Sequence, residues 1–115
     1  MFVEGVMVKE YLEKIRRYLF EKRIEASNKL MDLSNKYKEN VALMKLLDES
    51  NDPVFESFTP REINSFNRGK IVEIKESQKQ LIADIKIVED RLKQLDVDIE
   101  EVDNVIRTYN KESSN

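Results

Sequence analysis

The densest run of groups able to do chemistry is Asp96-Val97-Asp98-Ile99-Glu100-Glu101-Val102-Asp103. Clustered carboxylates are hard oxygen donors of the kind that hold calcium or magnesium. On a helix, however, Asp96, Glu100 and Asp103 share one face while Asp98 and Glu101 share another. No glycine bends the chain there to gather ligands around an ion. The run therefore predicts a solvated acidic face. A second cluster, Lys14, Arg16, Arg17, Lys22 and Arg23, has Tyr18 and Phe20 among its cations. Basic residues interleaved with aromatics could grip a nucleic-acid backbone or an anionic membrane surface. Glu10, Glu13, Glu21 and Glu25 stand where they can pair with these bases one helical turn away. That spacing predicts ion-paired surface and disfavours nucleic acid.

What the chain lacks is equally informative. It contains no His and no Cys. This removes Cys–His and Ser–His nucleophiles, histidine or thiolate zinc sites, disulfides and phospho-acceptor histidines. Gly5 and Gly69 are its glycines, so no glycine-rich phosphate loop can form. Paired carboxylates would need a dry, concave pocket to become an acid and a base. The expectation is a non-enzymatic protein with no catalytic residue, no cofactor and no metal.

Positioning follows from composition. The 115 residues suit one domain at most. Charged residues make up 37% and hydrophobic residues 40%, with 2 Gly and 2 Pro. So few turn formers favour long helices over sheets, whose connections need them. The halves differ in charge: residues 1–48 carry 10 basic and 8 acidic side chains, residues 49–115 carry 10 and 15. Side by side, the two would attract. The N-terminal Met1-Phe2-Val3-Glu4-Gly5-Val6 lacks the basic start of a signal peptide, and no run reaches the ~18 apolar residues of a membrane span. With no Cys, the chain reads as cytoplasmic.

Helix 2 is expected at about residues 60–110, with a fraying tail at 111–115. Ile71, Ile85, Leu92, Ile99 and Ile106 fall at heptad position a; Ile74, Leu81, Val88, Leu95, Val102 and Tyr109 fall at d. Gaps alternating four and three describe a coiled-coil seam. Gln78, at a, interrupts it and predicts a polar layer that fixes register or softens the coil. Thr59-Pro60-Arg61-Glu62 supplies a capping box, with Phe58 and Ile63 as its hydrophobic staple. Asn64 and Asn67 occupy seam positions, so the seam is expected to turn there toward Ile63 and Phe66. Gly69, at an outer position, could serve close approach or a hinge, or be tolerated surface.

Helix 1 is expected at about 4–48, with residues 49–59 as linker. Its seam runs through Val8, Leu12, Ile15, Leu19, Lys22, Ala26, Leu30, Leu33, Tyr37, Asn40, Met44 and Leu47, with a stutter at Ala26. A short linker makes the helices antiparallel. Helix 1 is apolar beyond its seam, at Tyr11, Tyr18, Phe20, Ile24, Met31, Val41, Leu43 and Leu46. That second stripe needs its own cover. The fold class expected is all-α, a long antiparallel coiled-coil hairpin that dimerises into a four-helix bundle.

Phe58-Thr59-Pro60-Arg61-Glu62-Ile63-Asn64-Ser65-Phe66, opening a long heptad helix after an earlier helix and a linker, resembles the N-terminal coiled-coil sensor region of DegS-type sensor histidine kinases. By layout the likeness covers residues 10–110. It implies a sensor hairpin from two-component signalling. The family's phospho-acceptor histidine has no counterpart in this His-free chain.

The leading expectation is thus a protein-interaction or signal-transmission module. Leu33, Met44 and Leu47 would close the hairpin against Leu81, Ile85, Val88, Leu92, Leu95, Ile99, Val102 and Ile106. Tyr11, Tyr18, Phe20 and Ile24 would form the partner interface. Two alternatives fit the same pattern: a helical chaperone or export adaptor holding a client's amphipathic helix, and a nucleic-acid-associated coiled coil using residues 14–23.

Overall fold

The computed structural model describes residues 2–49 and 61–113, with side chains for 7–47, 63 and 65–112. Two helices account for all of them: α1, Phe2–Glu49, and α2, Arg61–Ser113. No strand occurs among the described residues. Both prolines, Pro53 and Pro60, fall outside the two helices in the sequence. The cap expected at Phe58, Thr59 and Pro60 lies outside the described residues, as does the Glu62 side chain. Helix α2 continues through Ser113, past the fraying expected from Lys111 onward. Lys111 stands in its last turn, where a cation complements the carbonyl end of the helix.

The two helices pack antiparallel as an all-α helical hairpin. Two compact units can be distinguished. One comprises residues up to 29 together with those from 88 onward; the other comprises residues 30–87.

In the first unit, Val88, Leu95 and Ile99 are buried, and Leu95 is only 1% exposed. Leu92, Val102, Ile106 and Tyr109 are half-buried, as are Leu12, Ile15 and Leu19 opposite them. All stand on the predicted seams. Full burial of a leucine stabilises by roughly 1.5–3 kcal/mol, so Leu95 anchors this unit. At the Ala26 stutter the covered face of α1 widens to take in Lys22, Arg23, Ala26 and Ser27. Val8, expected in the seam, is instead 44% exposed. The pairing of Arg16 with Asp103 places Val8 level with Lys111, beyond the last apolar seam residue of α2.

In the second unit, Ile71, Ile74 and Leu81 are buried. Ile85, Leu30, Leu33, Tyr37, Met44 and Leu47 are half-buried. The buried side chain of α1 here is polar: Asn40, 7% exposed. The seam does not turn toward Ile63 and Phe66, which are 48% and 62% exposed. Asn67 and Lys70 are the half-buried residues there. The heptad frame of Ile74, carried back seven residues, reaches Asn67 and keeps its face toward α1. The Lys70 ammonium sits 5.5 Å above the Phe66 ring instead. A Cβ built on Gly69 meets nothing within 4 Å, and its φ is not positive. Gly69 is tolerated surface, with no close approach to serve.

Candidate functional site

The four residues expected to form a partner interface are all on the surface of α1. Tyr11 is 64% exposed, Tyr18 55%, Phe20 37% and Ile24 59%. They do not make one stripe. At ~3.6 residues per turn, Tyr11 and Tyr18 fall about 20° short of two full turns apart and share a face. Phe20 lies about half a turn from Tyr11, and Ile24 stands one turn beyond Phe20. The sequence therefore carries two apolar rows on α1, one on each side of the seam.

Charged groups separate these rows. Nε of Arg16 donates to Oδ1 of Asp103 at 2.5 Å, and Nε of Arg23 donates to Oδ1 of Asp96 at 2.5 Å. Seven residues forward on α1 match seven residues back on α2, which is the antiparallel pairing itself. Asp96 and Asp103 directly follow seam residues Leu95 and Val102, so their carboxylates border the core rather than enter it. The Arg16 guanidinium also lies 4.7 Å over the Phe20 ring. The hydrogen bond from Arg23 to Asp96, and then their opposite charges, raise the Arg23 pKa above its usual value.

The bridges mark one edge of the hairpin. Tyr18 follows Arg16 by two residues, about 200° of helical rotation, and so lies beyond the opposite edge of the seam. Its ring carries the Lys22 ammonium at 5.5 Å. On the bridge side, Glu13, Arg16, Arg17, Phe20, Asp103 and Ile106 line a shallow groove of about 560 Å³. A hollow of about 320 Å³ on α2 is lined by Asn104, Val105, Thr108, Tyr109 and Glu112. Both are open clefts on the surface.

The acidic run and the basic cluster thus meet each other. Sequence reasoning assigned the bases to glutamates on their own helix. One such pair is present, Lys22 with Glu25 at 3.3 Å, but Arg16 and Arg23 reach across to α2. The signal was available: opposite charges beside the seams of both helices, each repeating after seven residues. Among the described residues, no three acidic side chains converge as a metal site. No helix among them is long and apolar enough to cross a membrane.

In the second unit the seam contains a hydrogen-bonded polar layer. The Asn40 amide donates to Gln78 Oε1 at 2.9 Å and to Ser77 Oγ at 3.2 Å. Gln78 Nε2 donates in turn to the Tyr37 carbonyl at 3.2 Å. The sequence placed Asn40 and Gln78 in their seams but did not pair them, and it did not find Ser77. Comparison with protein-family models, with curated proteins and with solved structures gives no match.

Proposed function

We propose that this protein is a non-enzymatic coiled-coil module that works by protein–protein association, as a scaffold or as a relay of conformational signals in the cytoplasm. The observation that carries this reading is the exposure of Tyr11 and Tyr18 beside a seam that is already occupied. Aromatic residues on an exposed face are the commonest anchors of protein interfaces. The absence of His and Cys from the sequence argues in the same direction, since it removes the usual nucleophiles and bases. The likeness of residues 10–110 to the sensor hairpins of DegS-type kinases supports a signalling setting, with no phospho-acceptor histidine among these residues.

Immobilised wild-type chain and a variant with Tyr11, Tyr18, Phe20 and Ile24 all changed to Ser test the reading. The association, with another copy or with another protein, should be lost in the variant while its helical circular dichroism is kept. Equal binding by both chains would overturn it.

A further inference from the structure

We infer that the tyrosine edge of the first unit is the docking face for a second copy of this chain, related by a two-fold axis running along the helices. This rests on the association reading above and names its partner.

The edge is a pair of heptad rows. On α1 it carries Tyr11 and Tyr18, seven residues apart; on α2, Val105, 52% exposed, beside the uncovered flanks of the half-buried seam residues Val102 and Tyr109, also seven apart. The Arg16–Asp103 bond sets their levels: Tyr11 stands level with Thr108 and Tyr18 with Glu101. The bridges occupy the other edge, so only this one offers apolar side chains in heptad register on both helices.

Charge selects the arrangement. Residues 7–29 of α1 hold seven basic and four acidic side chains. Residues 88–112 of α2 hold four basic and eight acidic. Setting aside the two internal bridges, five against four remain on α1 and four against six on α2. An axis along the helices lays each α1 on the partner's α2, basic on acidic, with every neighbour antiparallel. An axis across the helices would lay α1 on α1 and oppose like charges. The first arrangement is self-complementary, as an isologous interface must be, and seats the tyrosines over the second copy's Val102, Val105 and Tyr109 rows. Phe20 and Ile24 stay outside it.

The chain has no cysteine, so single cysteines report the geometry. Tyr18→Cys and Val105→Cys chains, mixed and treated with a short thiol-reactive cross-linker, should give an 18–105 product and little 18–18 product. Sedimentation should give twice the 13.6 kDa chain mass. Tyr11→Glu/Tyr18→Glu should weaken self-association at least tenfold with helix content unchanged, and Phe20→Glu/Ile24→Glu should leave it intact. A predominant 18–18 product, or a dimer that survives the tyrosine changes, overturns the inference. A wild-type monomer overturns it too. If that monomer still binds another protein through these residues, the broader reading stands; if it binds nothing, both fall.

Discussion

Asn40 and Gln78 meet across the seam, amide to amide, at 2.9 Å. Asn40 is the one buried side chain of α1 among the described residues, and it is polar. Viewed by position, Gln78 at a looks like a weakness that isoleucine would repair. The pairing changes that expectation. Gln78→Ile removes the best acceptor of a buried amide and leaves Asn40 with Ser77 alone. An orphaned buried polar group costs about 1–3 kcal/mol. Gln78→Ile should therefore lower stability in urea unfolding, whereas Asn40→Leu/Gln78→Ile together should restore or exceed the wild-type value. A stabilised single variant would show that the layer contributes nothing.

Leu95, 1% exposed, is the most enclosed side chain of the first unit. Leu95→Ala should cost about 3 kcal/mol, since buried leucine truncations lose both transfer energy and packing. Leu92→Ala, half-buried at the neighbouring seam position, should cost less. Thermal melts of the two variants check the order, and a reversed order would contradict the seam geometry.

Gly69→Ala should stabilise by about 1 kcal/mol, the difference in helix propensity. A methyl group there enters open space. A loss of stability would mean that the surface at Gly69 is covered in solution.

Arg16→Gln should change stability by less than about 1 kcal/mol, because exposed ion pairs contribute little. Combined with Asp103→Asn, the effect should be less than the sum of the single changes, and the difference should shrink in high salt. Arg23 contributes no pH dependence near neutrality. Its pKa is raised in the fold, so its contribution is complete below the unfolded value and is lost only in strongly alkaline solution.

The fold was legible because one physical signal, apolar side chains at heptad spacing, dominates α2. Ile71, Ile74, Leu81, Val88, Leu95 and Ile99 are buried where that spacing puts them. The ends were harder to read. Val8 satisfies the period but has no apolar residue level with it, and periodicity within one helix cannot see where the other stops. The surface was hardest. A list of apolar residues outside the seam reads as one stripe until helical angles are assigned; Tyr18 and Phe20, two residues apart, face nearly opposite ways. Arg16 and Arg23 were misassigned for a related reason: local spacing favours partners on the same helix, and the competing partners lie 87 and 73 residues away.

The two Arg–Asp bridges repeat with the period of the coil itself, and this limits what they can measure. Slide one helix seven residues along the other, and Arg16 faces Asp96, or Arg23 faces Asp103; one bridge re-forms and the error goes half unnoticed. Like evenly spaced marks on a ruler without numerals, they report position only to within one repeat. Asn40 and Gln78 have no such duplicate, since their neighbours seven residues away are Leu33, Leu47, Ile71 and Ile85. Within its own unit the amide pair is the numeral on the ruler: a slip of one heptad there would set each amide against a leucine or an isoleucine.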